Sequence, residues 1–326
     1  MTTMRAVQAR AAGGPEVLEL VERPIPEPGP GEVRIRLEAI GLNYIDTYQR
    51  AGLYPVKMPA VLGLEGAGVV DAVGPGVRLH KVGDRVAFGN GPLGAYAEFH
   101  VAPEDRVVAL PDGLDARKAA AMMLKGMTAE FLLCRCYPVR PGDPVLIHAA
   151  SGGVGQIMTQ WAKALGAEVI GTVGSEAKAE VARRNGCDHL ILYREEDVAE
   201  RVKAITGGEG VAVVYDGIGA ATFDGSLKSL RRRGMLVSFG NASGPVPPIQ
   251  PLRLSQGGSL YLTRPTLFDY VATRAELEES ASALFEVVTS GKVRIDIGQT
   301  FRLEEARRAH EALEARETTG STLLLP

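Results

Sequence analysis

Five short apolar runs, Val145–Ala149, Glu168–Val173, His189–Leu192, Val211–Tyr215 and Met235–Phe239, recur through the middle of the chain with amphipathic segments between them. Strands this uniformly apolar have no face to leave in water, and segments of about 10–15 residues between them are long enough for crossover helices. That pattern requires a parallel sheet covered on both faces, a doubly wound α/β domain. Ser259–Thr263 reads as one more strand at its end.

The text before this region has a different period. From Met4 to about Ala109 it is rich in Val, Gly and Pro, with candidate strands at MRAVQA, EVRIRLEAI, GAGVVDAVG, DRVAFG and AYAEFHVA. Close punctuation by PEPGPGE and VGPGV favours tight turns over crossovers, so a compact antiparallel β domain is expected. A helical pattern runs from Asp115 to Cys136. Beyond the parallel sheet come a helical stretch at Arg274–Ser290, the segment KVRIDIGQTF, a helix at Glu304–Glu314 and a terminal strand STLLLP, which are expected to complete the first domain. The predicted division is therefore residues 1–124, 125–264 and a return segment, 265–326.

The 326 residues are enough for two domains with separate cores. A composition of 45% hydrophobic and 23% charged residues excludes a disordered or fibrous chain. The formal charge is −3, and the one basic triplet, Arg231-Arg232-Arg233, reads as a solvated helix end, so nucleic acid is not an expected partner. Three cysteines, Cys134, Cys136 and Cys187, do not make a secreted disulfide framework. The opening MTTMRAVQARAAGG has no apolar signal-type segment, and no run of about 18 apolar residues occurs. A cytoplasmic protein with no membrane contact is expected.

Directly after the strand VLIHA, the stretch Ala149-Ala150-Ser151-Gly152-Gly153-Val154-Gly155 opens a helix whose Ile157, Trp161 and Leu165 share one face. Small residues at that point let the backbone turn tightly and approach a pyrophosphate, which the helix N-terminus attracts. A side chain at Gly152 is expected to obstruct that approach, and Ala150 stands where the fingerprint usually has its first glycine. An ordinary strand-to-helix turn is the bland alternative. The second strand ends Gly171-Thr172-Val173-Gly174-Ser175, without the carboxylate that would receive a ribose 2′-hydroxyl. With Lys178 one turn into the next helix, the pattern favours NADPH over NADH, although Lys178 is also readable as a solvent-facing lysine beside Glu176.

No zinc-type cluster of Cys, His and carboxylates is visible. Cys134-Arg-Cys136 is too closely spaced and lies in a helical pattern, and His80, His100, His148, His189 and His310 are scattered. His148, inside an apolar strand, reads as a satisfied core histidine. Asp84, in VGDRV, is expected to stabilise its own turn. No catalytic triad or paired carboxylates stand out, so a cofactor must carry the chemistry. The densest polar cluster in the first domain is Asn43, Tyr44, Asp46, Thr47, Tyr48 and Tyr54, readable either as an acceptor-positioning group or as a turn with surface tyrosines.

Taken in order, GLNYIDTYQRAGLYP, LGLEGAGVV, GDRV, HAASGGVG, GTVGSEAK, YDGIG, VSFGN and LTRP resemble the NADPH-dependent quinone oxidoreductases of the zeta-crystallin-like branch of medium-chain dehydrogenases/reductases. The resemblance implies a GroES-like β-rich catalytic domain beside a Rossmann cofactor domain, with the cofactor between them. Zinc alcohol dehydrogenases of that superfamily place a metal-binding cysteine where Asn43 stands and Gly-His-Glu where this chain has Gly63-Leu64-Glu65. They also carry a lobe of four cysteines that is missing here, since Gly91 leads straight into PLGAYAEF. No metal is therefore expected, and Glu65 is left with a structural role.

The resemblance further implies cofactor contacts from Asn43, Asp46, Thr128, Phe131, Ser151, Gly152, Gly153, Val154, Gly155, Gly174, Ser175 and Gly217. Lys178, Tyr193 and Arg316 are implied near a 2′-phosphate, and Phe239, Gly240 and Asn241 on the nicotinamide side. Asn43, Tyr48, Tyr54 and Arg264 are implied to line the acceptor pocket. Gly217 replaces a serine, and Glu130 with Phe131 replaces an aromatic pair, of relatives. The strand SLYLT implies a homodimer. Quinone reduction is the expected activity, with reduction of enone or alkenal double bonds as the alternative enzyme. RNA binding or a structural, crystallin-like role is the alternative of another class.

Overall fold

The computed structural model of the protein describes residues 2–326. They form two compact units, one of residues 2–127, Val271–Thr289 and Ile295–Pro326, the other of Thr128–Tyr270 and Ser290–Arg294.

In the first unit, strands β1 (Thr3–Ala9), β2 (Leu18–Pro24), β3 (Glu32–Leu42), β4 (Ala60–Val61), β5 (Glu65–Val73), β6 (Arg85–Phe88), β7 (Phe99–Pro103) and β8 (Val108–Ala109) are joined by turns and by helix α1 (Tyr44–Ala51). β2, β4 and β8, and the helix α1, are additions to the elements expected from sequence. Helix α2 (Ala116–Glu130) continues as a wider, π-type turn through Phe131–Cys136, so the helical pattern at Asp115–Cys136 is borne out with a change of pitch at its end.

The second unit is built from β9 (Pro144–Ile147), α3 (Gly153–Ala164), β10 (Glu168–Val173), α4 (Glu176–Arg184), β11 (His189–Leu192), α5 (Val198–Ile205), β12 (Val211–Asp216), α6 (Phe223–Ser229), β13 (Leu230–Ser238), α7 (Leu252–Gln256), β14 (Tyr261–Thr263) and α8 (Leu267–Tyr270). Its sheet has the order β11-β10-β9-β12-β13-β14, with all pairs parallel. This is the doubly wound arrangement expected from the apolar runs, and the order reverses beside β9, where a ligand crevice opens in such sheets. The side chains of Leu146, Ile170, Ile191 and Val214 are buried together with Phe223 and Leu227 of α6, as period-matched strand and helix faces require.

The arginine triplet corrects the sequence reading. α6 stops at Ser229, and Arg231, Arg232 and Arg233 lie inside β13, where the register jumps from Val211–Leu230 to Val213–Met235. Looped out of the ladder, with Arg233 at φ 60°, Arg232 and Arg233 are exposed and Arg231 pairs with Asp143 at 3.6 Å, without a helix end.

The chain then returns to the first unit with α9 (Arg274–Thr289), β15 (Ile297–Arg302), α10 (Ala306–Glu314) and β16 (Ser321–Leu325). The large sheet there runs β15-β16-β3-β5-β6-β8, with β7 also on β3, and a smaller sheet runs β2-β1-β4. Every pair within the first 109 residues is antiparallel, as expected, and the exception, β15 with β16, lies in the return segment, where the two are parallel. The exception has a cause: α10 lies between these two strands in sequence and supplies the crossover a parallel pair needs. Ala306, Ala309 and Leu313 of α10 join the core of Ile35, Ile40, Val70 and Phe88.

Candidate active site

The loop after β9 turns on Ala149, at φ 52°, and hands the chain to α3 through Gly152, an extended N-cap at φ −80° and ψ 173°. The first N–H groups of such a helix lack intrahelical carbonyls and point outward with the positive end of the dipole. Within the chain itself, glycine is required at Gly155. A Cβ at Gly155 would overlap the Ala149 carbonyl, whereas one at Gly152 would lie 3.3 Å from the same oxygen. Within the chain it is thus Gly155 that keeps helix and strand together, and obstruction at Gly152 arises only toward a ligand. Ser151 is buried, and its carbonyl accepts from Gln156 Nε2 at 2.8 Å.

A polar chain absent from the sequence reading lies beneath this loop. Asp216, at the end of β12, accepts from the Ile218 and Gly219 amides and from the hydroxyls of Thr222 and Ser226 at 2.7–3.0 Å. Because Ser226 gives its hydrogen to Asp216 at 2.7 Å, its oxygen is left to accept from His148 Nε2 at 2.9 Å. His148 Nδ1 then accepts from Thr172, whose oxygen takes the Ala149 amide at 3.3 Å. His148 is the satisfied core histidine that was expected. Burial holds its pKa below the ordinary value, consistent with the neutral ring this chain of bonds demands.

At the end of β10, Gly174 and Ser175 lead into α4, with Lys178 in its first turn. The Tyr193 amide donates to the Val173 carbonyl at 3.2 Å, and the Tyr193 hydroxyl would lie 2.6 Å from a Cβ at Gly174. Gly174, Ser175, Lys178 and Tyr193 are therefore grouped at one strand end, with no carboxylate at the tip itself. Arg316 belongs to the other unit, exposed in the turn after α10 at φ 60°.

The ends of β12 and β13 also meet. A Cβ at Gly217 would lie 3.0 Å from the Phe239 ring, and one at Gly240 would overlap the Gly217 carbonyl. The Phe239 amide donates to the Asp216 carbonyl, and the Asn241 carbonyl accepts from the Gly244 amide. Arg264, just past β14, donates from Nη1 to the Ser238 carbonyl at 2.9 Å. Thr128 is buried. Phe131 is 1% exposed and stacks on Tyr270 with centroids 4.4 Å apart, so its ring is engaged in packing rather than displayed. Glu130 is paired with Arg135 at 2.6 Å.

In the first unit, the polar cluster is neither a turn nor a set of surface tyrosines. Asn43 is the N-cap of α1, and its amide donates to Asp46 Oδ2 at 2.9 Å, one half of a capping box. Tyr48 packs edge-to-face on Tyr54 with centroids 5.4 Å apart, and Tyr44 donates to the Leu313 carbonyl at 3.0 Å. The helix was missed because its polar residues point inward: Asp46, Thr47 and Arg50 are all buried.

Asn43 Nδ2 donates to Glu65 Oε2 at 2.8 Å. That oxygen also receives Lys125 Nζ at 2.9 Å, and Glu65 Oε1 accepts the Leu124 amide at 2.8 Å. Glu65 thus ties β5, α1 and α2 together, the structural role expected of it. Leu64 beside it is buried and offers no ligand atom. Among the described residues, no three His, Cys, Asp or Glu side chains form a group able to hold a metal ion.

A second chain of bonds was also invisible in the sequence. Asp46 Oδ2 accepts from the Tyr96 hydroxyl at 2.8 Å, Tyr96 Oη lies 3.0 Å from His310 Nε2, and His310 Nδ1 lies 3.0 Å from Arg50 Nη1. Arg50 continues to Glu314 at 2.7 and 2.9 Å and to the Gly13 carbonyl at 3.1 Å. One signal for it existed. Ala306, Ala309, His310 and Leu313 share the apolar stripe of α10, which places a histidine on a core face. Burial and the neighbouring Arg50 push His310 down to about 3, and burial lifts Asp46 to about 7.

Cys134, Cys136 and Cys187 are free thiols. Burial raises Cys134 and Cys187 to about 11, which makes neither a ready nucleophile. Asp84 accepts the Lys81 amide at 2.9 Å and holds its own turn, as expected. Among the described residues, no helix is long and apolar enough to cross a membrane.

Comparison with known proteins agrees with this architecture. The family model "Alcohol dehydrogenase GroES-like domain" matches residues 29–112, and "Zinc-binding dehydrogenase" matches residues 153–286. The chain is 54% identical to a quinone oxidoreductase of Pseudomonas aeruginosa, over 99% of each protein. It is 48% identical to a 2-haloacrylate reductase of a Burkholderia species, over 96% of each. The solved Escherichia coli quinone oxidoreductase complexed with NADPH superposes with a TM-score of 0.97 at 48% identity, covering all of both chains. The GroES-like and Rossmann units, the glycine-rich turn after β9 and these full-length relatives together identify the chain as an oxidoreductase that belongs to the quinone oxidoreductases of the medium-chain dehydrogenase/reductase superfamily.

Proposed function

We propose that this enzyme reduces quinones with hydride from NADPH and uses no bound zinc. The observation that carries the reading is the end of β10, where Gly174, Ser175, Lys178 and Tyr193 meet without a carboxylate at the strand tip. A 2′-phosphate suits a lysine and a hydroxyl, and an acid in that place would repel it. The residues after β9 fit the rest of a dinucleotide, because the strand-to-helix turn on Gly152–Gly155 presents helix N-terminal amides with little side-chain bulk. In this reading Ser151, Gly152, Gly153, Val154 and Gly155 take the pyrophosphate. Phe239, Gly240 and Asn241 attend the nicotinamide, with Gly217 and Arg264 buttressing the strand ends behind it. When bound, NADPH supplies the hydride.

Asn43, Tyr48 and Tyr54 hold the acceptor in this proposal. The Tyr48–Tyr54 pair offers apolar faces with polar edges to a flat carbonyl compound, and α1 fixes Asn43 at its N-cap. Asn43 and Leu64 stand where a zinc enzyme needs a cysteine and a histidine, which supports chemistry without the metal. The quinone acceptor follows the name of the Pseudomonas aeruginosa relative, and the Burkholderia reductase favours activated double bonds as a second acceptor class. We further assign the enzyme to the cytoplasm, on its free cysteines. We read the β14 edge, where Tyr261 is 54% exposed, as the pairing edge of a homodimer.

Steady-state assays of a quinone series and a 2-haloacrylate series, each with NADPH and NADH, test the activity. Quinone-dependent NADPH oxidation well above the uncatalysed rate is expected, and its absence with every quinone overturns the acceptor assignment. Lys178→Ala is expected to weaken NADPH about tenfold while leaving NADH nearly unchanged, since one charge-assisted contact contributes roughly 1.4 kcal/mol. Equal losses for the two cofactors would remove Lys178 from the 2′-phosphate site.

A further inference from the structure

The hydrogen bonds that end on Asp46 have a direction. Arg50 has only donors, so His310 Nδ1, 3.0 Å from Arg50 Nη1, must accept. A neutral His310 then carries its hydrogen on Nε2 and donates to Tyr96 Oη, which leaves the Tyr96 hydrogen for Asp46 Oδ2. The Asn43 amide donates to that same oxygen. Asp46 Oδ1 is buried and has no hydrogen-bond partner among the described residues.

Charge pairing points the same way. The groups that face Asp46 are Asn43 and Arg50 on its own helix, Glu65 on β5, Tyr96, Lys125 on α2, and His310 on α10, with Glu314 beyond Arg50. Lys125 pairs with Glu65 at 2.9 Å, and Arg50 pairs with Glu314 at 2.7 Å. Each cation is taken, and Asp46 is the carboxyl left without one.

We propose that Asp46 is held by burial as a neutral carboxylic acid, and that Arg50, His310 and Tyr96 are positioning residues that place its proton on Oδ1 by directing the Tyr96 hydrogen to Oδ2. A buried carboxylate with one oxygen unpaired would be costly, and burial does lift this group to about 7. The consequence for turnover rests on the reading of Asn43 as an acceptor-binding residue. A quinone that takes up hydride becomes a hydroquinone monoanion, which then takes a proton to become the hydroquinone. A neutral Asp46 behind Asn43 spares that anion a buried like charge, so kcat/KM falls as pH rises through the ionisation of Asp46.

Two measurements test this. The first is the pH profile of kcat/KM for quinone in the wild type and Tyr96→Phe. Losing the Tyr96 donor removes support for the carboxylate, so the alkaline fall moves to higher pH by roughly one unit. A role in packing alone would lower the rate without moving the midpoint, and an unmoved or lowered midpoint overturns the proposal. The second is thermal unfolding of Asp46→Asn against the wild type, without substrate, from pH 5 to 8. Asparagine imitates the neutral acid, with its Nδ2 in place of Oδ1, so the difference moves in the variant's favour as pH rises. A difference that is constant, or that moves against the variant, overturns the neutral acid. Should the unfolding difference behave as expected while wild-type kcat/KM shows no alkaline fall, the protonation state stands and the acceptor role of Asn43 fails.

Discussion

Two buried aspartates, Asp46 in the first unit and Asp216 in the second, each stand at the head of a hydrogen-bond chain that passes through a buried histidine. Their surroundings differ in the number of donors. Asp216 receives two amides and two hydroxyls, spread over both oxygens, and both come from the loop and helix that follow it directly in sequence. Asp46 receives two donors on one oxygen and none on the other. Burial alone therefore does not decide what a buried carboxyl does. Donor count decides it: four donors suit an anion that braces the phosphate loop, and two suit a neutral acid at the cap of α1.

The comparison breaks most readily under the same substitution at both sites. Asp216→Asn must point an amide NH2 at groups that already donate, so it is expected to cost about 2–4 kcal/mol in urea unfolding at pH 7. Asp46→Asn should cost far less, because its new donor replaces an oxygen with no partner. Equal costs would mean that the two carboxyls carry the same charge.

A smaller effect is expected midway along each chain. Ser226→Ala leaves His148 Nε2–H and one oxygen of Asp216 with one bond fewer, for a loss of about 1–2 kcal/mol. A loss below a few tenths would show that the chain beneath the phosphate loop is not closed as described.

A further predicted effect is one of pH. His310 and His100 titrate near 3 and 4 in the folded protein, from an ordinary 6.5, because burial disfavours their charged forms. The unfolded chain therefore binds protons that the folded chain refuses between about pH 6.5 and 3. Stability from these groups is complete above 6.5 and is lost as pH falls through that window. Asp46 has the opposite sign, its folded value being raised, so its contribution is lost as pH rises from about 4 to 7. In thermal melts at pH 4.5 and 7, His310→Gln should lose less on acidification than the wild type. An unchanged loss would assign the acid sensitivity elsewhere.

The parallel sheet, the glycine-rich strand-to-helix turn after β9 and the carboxylate-free end of β10 were all legible in the chain itself. Strand and helix periods, and a glycine-rich turn between them, are properties of residues a few positions apart, so VLIHAASGGVG announces its conformation before anything else has folded. Asp216 and its donors lie within ten residues and could have been read from YDGIGAATFDGS, where an acid is followed by a turn and two hydroxyl-bearing residues' worth of spacing to Ser226. Asp46 could not. Its partner Tyr96 is 50 residues away, and Arg50 and His310 are 260 apart. Only closure of the first unit, with α10 folded back beside α1 and the loop before β7, brings those groups within bonding distance. The sequence by itself determined where a glycine-rich turn would present helix N-terminal amides. Which buried carboxyl keeps its proton was decided by tertiary structure, because it depends on how many donors distant segments deliver to each oxygen.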